Sequence, residues 1–325
     1  MNYAARLRRI STLAMAATTA ALLLSACGGG GGGAATPAVG GSSDVVAING
    51  SPATNEVASY GKKLTLTVNG SNVDKLAVTA TGCKDLALST SGTFVSTAAT
   101  AYFQCTVSAV PTAQIVFKRP GEAATLVTVT VPVPAPQVTM SFNNGGGVNG
   151  NVVVTLAPDK TPITVDNFLR YVNSGFYTST RIHRVVPGFI VQGGGYADAI
   201  AGNATTANIP GLKPAAANIA LEVGKGLTNK QWTIAMARAA EPDTANSQFY
   251  FNLADNAGLD PTAATANTPA SAGYAVFGSI SDGTATVSSI ASPATAPCVS
   301  ITFFTAAPEC TPIPNVVLTS ATQSR

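Results

Sequence analysis

Charged side chains are scarce in this sequence. They make up 10% of the 325 residues, whereas globular proteins carry about 25%. Arg6, Arg8 and Arg9 alone account for the excess of 18 basic over 15 acidic side chains, so the chain beyond them is neutral. Nucleic-acid binding depends on basic patches that contact phosphates. The composition therefore argues against a nucleic-acid partner and favours β-structure with a surface of small polar residues.

Groups for hydrolytic or metal chemistry are equally few. His183 is the one histidine, which excludes a multi-histidine metal site and leaves a single candidate base for a Ser-His-Asp arrangement. No serine lies in a GxSxG elbow, and the sparse carboxylates disfavour glycoside hydrolysis. We therefore expect neither a metal nor a cofactor, and we expect His183 to be a packed or strand-edge residue.

The N-terminal segment has the composition of an export signal. Residues 1–26 contain three arginines, an apolar run from Leu13 to Leu24 and small residues. The apolar run is shorter than the about 20 residues of a membrane-spanning helix. The sequence LSAC, which ends at Cys27, resembles the lipobox of bacterial lipoproteins, in which the cysteine is lipidated and becomes the mature N-terminus. The alternative is an ordinary cleavable signal with a cysteine at that place by chance.

The residues after Cys27 favour the lipoprotein. Residues 27–43 include six consecutive glycines, a composition typical of a flexible tether. Gly28 follows the cysteine, and lipoproteins without an aspartate there usually go on to the outer membrane. Several acyl chains make such an anchor stable. We therefore expect an exported protein that is lipid-anchored to the outer membrane, on its periplasmic face.

Four cysteines remain beyond the lipobox. In an oxidising compartment an even count predicts two disulfides. Three pairings are open, and proximity along the chain favours Cys83–Cys105 and Cys298–Cys310. Zinc is the alternative, but no pair has CxxC spacing and the single histidine is far away in sequence.

Residues 44–131 consist of short runs in which apolar and polar side chains alternate, as at Leu64, Leu66 and Val68. This period predicts half-buried strands. Strands at such spacing, without a helical stretch, predict a small β-sandwich of immunoglobulin-like type. The run PVPAP at residues 132–136 predicts a linker, because proline removes backbone donors and favours extended chain.

A glycine-rich stretch follows at residues 145–150. It fits GxGxxG, but the dinucleotide-binding fingerprint requires a helix directly after the glycines. Here the residues NVVVTL predict another strand. We therefore expect a hairpin at this place and no nucleotide site.

Two helices are predicted in the remainder. In the first, Thr161 is a candidate cap, Pro162 suits the first turn and Gly175 suits the C-terminal stop. The segment DGTATVSSIAS, residues 282–292, predicts a short second helix. Strands greatly outnumber helices, so the fold class is mainly β.

The stretch RIHRVVPGFIVQGGG, residues 181–195, places Arg184 in an apolar run typical of a buried strand. A buried guanidinium costs several kcal/mol unless it is paired, so Arg184 requires either a structural partner or a substrate. Rotation about an X–Pro peptide bond, with a barrier of about 18–20 kcal/mol, needs no nucleophile. It needs an apolar pocket for the proline ring and a hydrogen-bond donor for the prolyl nitrogen, which a guanidinium at the pocket rim supplies.

Three blocks of the sequence resemble one family. Residues 160–195 resemble the signature of cyclophilin-type peptidyl-prolyl cis/trans isomerases, and TIAMARAAEPDTANSQFYFNLADNAGLD and YAVFGSI resemble later blocks of that family in the same order. The resemblance covers residues 137–322 and is closest to bacterial periplasmic members. It implies an eight-stranded antiparallel barrel capped by two helices, with the site on the outer face of the barrel and no cofactor.

The matching positions imply the site residues. Arg184 corresponds to the catalytic arginine of the family. Phe189 and Ile190 are implied to line the proline pocket, and Tyr250 to enter it. The full set implied to bind substrate is Phe189, Ile190, Gln192, Ala237, Gln248, Phe249, Tyr250, Leu259 and Tyr274.

Three features depart from the family pattern. Tyr250 stands where members generally have phenylalanine, and Gly258 stands where many have tryptophan or phenylalanine. The missing ring implies an open wall and weak binding of cyclosporin. Insertions precede Tyr274 and separate Cys298 from Cys310.

The resemblance implies an isomerase that acts on proline-containing polypeptide clients in the envelope, and we expect a monomer. Two other classes of function stay open. One is a catalytically weak lipoprotein that binds proline-containing peptides or serves adhesion. The other is a purely structural envelope lipoprotein, which would have no affinity for proline peptides.

Overall fold

Strands dominate the structure, a computed structural model that describes residues 45–51, 58–198, 211–262, 271–301 and 309–325. The predicted signal peptide, Cys27 and the tether of residues 27–43 lie outside the described residues, as do parts of both predicted insertions. No helix among the described residues is long and apolar enough to cross a membrane.

The N-terminal half of the compact unit formed by residues 43–325 contains two sheets. The four-stranded sheet has the order β1-β2-β5-β4 and the three-stranded sheet the order β3-β6-β7. Leu64, Leu66 and Val68 are buried, as their alternation predicts. The strands are β1 (Val45–Ser51), β2 (Lys63–Gly70), β3 (Ala77–Thr81), β4 (Cys83–Leu88), β5 (Thr100–Val107), β6 (Thr112–Lys118) and β7 (Thr125–Pro132).

The C-terminal part contains one large antiparallel sheet and two helices. The sheet order is β13-β10-β19-β8-β9-β16-β14-β15-β12-β11-β18-β17. The elements are β8 (Gln137–Asn143), β9 (Asn149–Leu156), α1 (Pro162–Asn173), β10 (Thr180–Arg181), β11 (Arg184–Val186), β12 (Ile190–Gly193), β13 (Tyr196–Ala197), β14 (Thr233–Met236), β15 (Phe249–Asn252), β16 (Val276–Asp282), α2 (Thr284–Ile290), β17 (Cys298–Ile301), β18 (Glu309–Pro312) and β19 (Val317–Gln323).

Residues 180–186 bring distant strands of this sheet together. β10 pairs with β19, and β11 pairs with β12. Only Ile182 and His183 separate β10 from β11, and the Ile182 amide donates to the Val316 carbonyl at 2.8 Å. The sheet therefore curls, and its inner face is filled by buried aromatic rings, among them Phe142, Phe251 and Phe277.

The glycine-rich stretch forms the predicted hairpin. β8 and β9 pair antiparallel from Gln137 to Asn143 and from Asn149 to Thr155. Gly145 has φ +72°, a left-handed conformation that favours glycine. The residues after the glycines are strand, so the helix N-terminus that a pyrophosphate requires is not formed there.

Helix α1 begins and ends by different means. Thr161 makes no side-chain cap, contrary to the prediction. The Glu222 carboxylate instead accepts from the Ile163 and Thr164 amides at 3.2 and 2.7 Å, and an anion suits the positive end of a helix. The C-terminus is as predicted, because Gly175 has φ +71° and its amide donates to the Val172 carbonyl.

The proline-rich segment of residues 132–136 is packed at both of its ends. Val133 is fully buried and its amide donates to the Pro111 carbonyl at 2.7 Å. The Leu156 amide donates to the Pro136 carbonyl at 2.9 Å. The segment is therefore bonded to the preceding sheets and to the large sheet.

Both disulfides favoured by proximity are present. Cys83 of β4 is bonded to Cys105 of β5, and Cys298 of β17 is bonded to Cys310 of β18. Each bridge therefore joins two neighbouring antiparallel strands. The zinc alternative does not hold for these four cysteines.

Candidate active site

A row of side chains crosses five strands on the outer face of the large sheet. Arg184 pairs with Gln192, Gln192 with Tyr250, Tyr250 with Ala235, and Ala235 with Val276. Directly opposite residues of paired strands point to the same face of a sheet. The row therefore places an arginine and an amide at one end and apolar side chains at the other.

The apolar part of the row belongs to a small cluster that is separate from the main core. Its buried members are Val186, Ile190, Ala235, Tyr250 and Val276. Five partly buried side chains pack against it: Phe189, Leu227, Ala237, Leu259 and Tyr274. The structure thus brings together six of the residues implied by the family resemblance, namely Phe189, Ile190, Ala237, Tyr250, Leu259 and Tyr274.

Arg184 has a structural partner. Its Nη2 lies 2.7 Å from Oε1 of Glu309, a residue 125 positions later whose side chain is fully buried. Its Nη1 donates to Oε1 of Gln192 at 3.1 Å. The Arg184 side chain is 11% exposed. The ion pair offsets the desolvation that a nearly buried guanidinium requires, and it fixes the plane of the guanidinium.

A second amide continues the polar end of the row. Nε2 of Gln192 donates to Oε1 of Gln248 at 3.0 Å. A Cβ at Gly195 would lie 2.7 Å from the Gln248 side chain, so the glycine at 195 leaves the space that Gln248 occupies. Arg184, Gln192 and Gln248 consequently form one hydrogen-bonded line at the edge of the apolar cluster.

Tyr250 shows how the hydroxyl at this position is accommodated. Its ring lies in the apolar cluster and its hydroxyl donates to Oδ1 of Asn229 at 2.7 Å. Asn229 is buried and its amide groups donate to Oδ1 of Asp260 at 2.7 and 2.8 Å. Burial raises the pKa of Tyr250 well above its ordinary value. The hydroxyl is therefore a neutral donor bonded beneath the cluster.

The structure corrects the placement of Phe249. This residue was expected to border the site, but it is fully buried in the main core, where its ring centroid lies 5.5 Å from those of Tyr177 and Phe251. Successive side chains of a strand point to opposite faces. In β15 the alternation turns Phe249 and Phe251 inward and leaves Tyr250 on the outer face.

The rim is formed by Tyr274 and Arg238. Cζ of Arg238 lies 4.6 Å from the Tyr274 ring centroid, and its Nε donates to the Gly273 carbonyl at 2.9 Å. The Tyr274 ring lies 6.0 Å from that of Tyr250. The Ala237 amide donates to the Gln248 carbonyl at 2.9 Å. The backbone group with which Ala237 would contact a bound peptide is therefore its carbonyl.

Gly258 is exposed and lies next to Leu259 of the apolar cluster. It belongs to the short turn of 3-10 helix Ala257–Leu259, and a Cβ built on it would meet nothing within 4 Å. Gly258 has no positive φ, so its backbone conformation is compatible with a larger residue. The position therefore has room for a side chain that this sequence does not supply.

His183 takes no part in the outer row. It is buried, and its ring centroid lies 4.6 Å from that of Tyr196. Burial, together with the smaller effect of the neighbouring Arg181 and Arg184 guanidinium groups, lowers its pKa to about 3. A neutral imidazole at this depth is the packed histidine that the sequence predicts. Among the described residues no cluster of three or more metal-ligating side chains occurs.

Two polar residues of the site were not predicted from the sequence. Asn229 and Glu309 lie 21 and 125 residues from the side chains they bind. Neither has a local signal, because an isolated amide or carboxylate in a loop or short strand looks like an ordinary polar residue. Val186, Ala235 and Val276 were also missed, although the alternation of their strands places them on the same face.

These features define a class of site. An apolar cluster lies beside a fixed hydrogen-bond donor and contains no activated nucleophile, which suits a conformational reaction of a bound chain better than hydrolysis. Residues 138–321 match the family model described as cyclophilin type peptidyl-prolyl cis-trans isomerase. Because this match covers more than half of the chain, the chain belongs to the cyclophilin-type peptidyl-prolyl cis-trans isomerases.

Curated relatives from bacteria are similar to part of the chain. Peptidyl-prolyl cis-trans isomerase A of Dickeya dadantii is 46% identical over 134 residues, which are 41% of this chain and 62% of the relative. Peptidyl-prolyl cis-trans isomerase B of Escherichia coli is 38% identical over 149 residues, which are 45% of this chain and 82% of the relative. A crystal structure of a Cryptosporidium parvum cyclophilin-type isomerase has 21% identity, covers 59% of this chain and 98% of its own, and has a TM-score of 0.41.

Proposed function

We propose that this protein catalyses cis/trans isomerisation of X–Pro bonds in exported or envelope proteins. One observation carries the proposal: Arg184 lies at the end of a cross-strand row whose other members form an apolar cluster on the outer face of the sheet. This places a positively charged donor beside a surface suited to a proline ring.

The mechanism follows from the reaction. The X–Pro bond resists rotation because its C–N bond has partial double-bond character. Phe189, Ile190, Tyr250 and Leu259 hold the proline ring. An N–H of Arg184 donates to the prolyl nitrogen as that atom becomes pyramidal, which favours the twisted state over the planar one. A guanidinium carries five N–H donors in a planar fork, so it is able to bond protein acceptors and a substrate atom together.

The remaining residues hold the peptide on either side of the proline. The Gln192 amide, steadied by Gln248, binds a substrate carbonyl. The carbonyl of Ala237 accepts from a substrate amide, and Tyr274 contacts the chain at the rim. No covalent intermediate and no cofactor enters the reaction.

The architecture is that of an isomerase domain carried on a smaller domain. Eight strands, from β19 through β8, β9, β16, β14, β15 and β12 to β11, close into the family's barrel through residues 180–186, a proposal supported by the pairing at both ends of that segment. Residues 44–131 form an immunoglobulin-like sandwich. Its support is the strand order β1-β2-β5-β4 and β3-β6-β7, which corresponds to ABED and CFG of constant-type domains.

The location of the protein is the outer membrane, with a lipid on Cys27 as the anchor and residues 27–43 as the tether. The support is the lipobox-like sequence and the glycine run, together with two disulfides typical of an oxidising compartment. Its clients are proline-containing polypeptides of that compartment.

The test is exchange spectroscopy by NMR on a short Ala-Pro-Phe peptide with residues 44–325. We expect the wild-type protein to accelerate exchange and Arg184→Ala to lose about 100- to 1,000-fold of that acceleration, the loss measured when a preorganised donor is removed. Arg184→Lys keeps the charge but loses the planar fork, and we expect it to remain impaired. Arg170→Ala, an exposed arginine of α1, is the matched control and should retain full activity.

Absence of acceleration by the folded, disulfide-bonded wild-type protein would contradict the proposed isomerase activity. Chemical-shift titration with the same peptide then separates the other two functions. Binding without turnover would indicate a peptide-binding lipoprotein. Gly258 and Tyr250 would then be the residues to examine, because they depart from the family pattern. No binding at all would indicate a structural lipoprotein.

A further inference from the structure

The carboxylate of Glu309 has an unusual place for an acidic group in this chain. It is fully buried, whereas the guanidinium it binds at 2.7 Å is 11% exposed. Glu309 lies in β18, which belongs to the insertion near the C-terminus. It pairs with the one arginine that the sequence assigns to catalysis.

Burial makes the two groups depend on each other. Removing one partner of a buried ion pair is strongly unfavourable, because the other charge is left without compensation. Without Glu309, Arg184 would keep its hydrogen bond to Gln192 but would lose the charged partner that holds it at the edge of the apolar cluster. Glu309 therefore holds the guanidinium at the place where the prolyl nitrogen would lie.

We propose that Glu309 is the positioning residue for Arg184 in the isomerase reaction, an inference that rests on the proposed function. Glu309 acts through Arg184 and not on the substrate, because its side chain has no exposed surface. Its contribution is preorganisation: a donor that is already oriented costs no reorganisation during the reaction.

The support for Glu309 comes from the hairpin of β17 and β18. Ile301 pairs with Glu309, and Ser300 with Cys310. β18 pairs with β11 at Val185 and Cys310, which places Glu309 on the same face as Arg184. Cys310 is bonded to Cys298, so a covalent bridge lies next to the positioning carboxylate and joins the hairpin at its outer strand. We include this disulfide in the proposal as the support of Glu309.

The first experiment compares Glu309→Gln with wild type in residues 44–325, with the same peptide exchange measurement. The variant keeps the shape and an acceptor oxygen but removes the charge. We expect the exchange rate of the bound peptide to fall about 10- to 100-fold, since a catalytic group misplaced by about 1 Å costs up to that factor. Peptide affinity from NMR titration should stay within twofold of wild type.

A double-mutant cycle shows whether the effect passes through Arg184. In an Arg184→Ala background, Glu309→Gln should change the exchange rate by less than twofold, because the group that it positions is gone. Glu222→Gln is the matched control. It alters a half-buried carboxylate with two backbone hydrogen bonds at α1, and activity should be unchanged while the protein stays folded.

The disulfide is tested with a matched pair of double variants. Cys298→Ser with Cys310→Ser should lower the exchange rate in the same direction as Glu309→Gln. Cys83→Ser with Cys105→Ser removes the bridge in the N-terminal sheets, and the exchange rate of the folded protein should be unchanged. Circular dichroism and the near-ultraviolet signal of Trp232 establish folding for each variant.

The outcomes separate this inference from the proposed function. No activity in wild type overturns the function, and with it the role of Glu309. Activity that requires Arg184 but survives Glu309→Gln in a folded protein overturns the positioning role alone. The same follows if Glu309→Gln acts equally in the Arg184→Ala background, or if the loss is in peptide affinity with the bound exchange rate intact.

Discussion

At the scale of single residues, the site is built from polar groups that are bonded below or beside an apolar surface. The Tyr250 hydroxyl donates to Asn229, and the ring lies within the apolar cluster. A buried hydroxyl without a partner costs about 1–3 kcal/mol. Asn229 removes this cost, which explains how tyrosine is accommodated where family members generally have phenylalanine.

Asn256 extends the same arrangement to the neighbouring turn. Its Nδ2 donates to the Phe189 carbonyl at 3.0 Å and to Oδ1 of Asn252 at 2.7 Å. Nδ2 of Asn252 in turn donates to Oδ1 of Asn229 at 3.2 Å. Side-chain amides thus connect the Phe189 carbonyl to Asn229, which binds the Tyr250 hydroxyl. One hydrogen-bond network therefore supports the parts of the cluster that carry Phe189 and Tyr250.

His183 gives a residue-level prediction for stability against pH. Its folded pKa of about 3 lies below the ordinary value of 6.5, so the unfolded chain binds a proton at a pH where the folded chain does not. The His183 contribution to stability is therefore fully present above about pH 6.5. It is lost as pH falls towards 3, by up to about 1.4 kcal/mol per pH unit.

The measurement is the urea midpoint at pH 7, 5.5 and 4.5 for wild type and His183→Gln. The variant lacks the titrating ring, so its stability should fall less steeply between pH 6.5 and 4.5. The groups that face His183, Arg181, Arg184 and Tyr196, are unchanged in both proteins. Parallel curves for the two proteins would show that His183 titrates with its ordinary pKa.

At the scale of elements, helix α1 contacts both the main core and the N-terminal sheets. Phe168, Leu169 and Val172 are buried in the main core, whereas Ile163 is 47% exposed. The side of α1 that carries Asp166 and Asn173 faces the N-terminal sheets. The Tyr60 hydroxyl donates to Oδ1 of Asp166 at 2.7 Å, and Nζ of Lys62 donates to Asn173 at 3.0 Å. One helix therefore packs on the core of the large sheet and bonds to the N-terminal sheets.

Asp166 is expected to carry most of the polar part of this contact. Tyr60 is 1% exposed, and burial together with the bond to Asp166 raises its pKa, so its hydroxyl is a neutral donor that needs an acceptor. Asp166→Ala should lower the free energy of unfolding by about 1–3 kcal/mol. Urea unfolding followed by Trp232 fluorescence measures it, because this tryptophan lies in the large sheet region.

The matched control is Asp159→Ala, an exposed carboxylate 3.5 Å from Lys160, which should change the free energy by less than about 0.5 kcal/mol. Tyr60→Phe combined with Asp166→Ala should cost less than the two single variants together, since they share one bond. Additive losses would mean that the hydroxyl and the carboxylate do not act as a pair.

At the scale of the whole molecule, the described residues combine two N-terminal sheets with a cyclophilin-type isomerase domain. Residues 43–325 form one compact unit, and the proline-rich segment between the sheets is bonded on both sides. The isomerase domain is therefore tied to the N-terminal sheets through this segment.

The anchor is tested by Cys27→Ser. Lipidation requires the cysteine thiol, so the variant should leave the outer-membrane fraction and appear in the soluble or inner-membrane fraction on cell fractionation, whereas the wild-type protein sediments with the outer membrane. Ser25→Ala is the matched control, because it leaves the thiol and should keep the membrane association. An unchanged distribution of Cys27→Ser would overturn the lipid anchor.

The sequence by itself determined those features that repeat over a few residues. Alternation within strands decides which side chains share a face, and it applies equally to β2 and to Arg184, Ile190 and Tyr250. Spacing of less than 25 residues was enough to pair each cysteine with its neighbour. The family's blocks gave the stretch of sequence that carries each predicted site residue, because they are contiguous and their order is fixed.

Only the tertiary structure decided the partners of these residues. Glu309 binds Arg184 from 125 positions away in the sequence, and Glu222 caps α1 from 59 positions away. Asn229, in a loop, accepts the hydrogen bond of the Tyr250 hydroxyl. Such contacts depend on strand order and on where loops cross, and no local period encodes them. Phe249 was misplaced for a smaller reason, since one step along β15 exchanges the outer face for the core. The sequence is enough to predict that a charge in a buried strand needs a partner, but only the fold determines which residue that partner is.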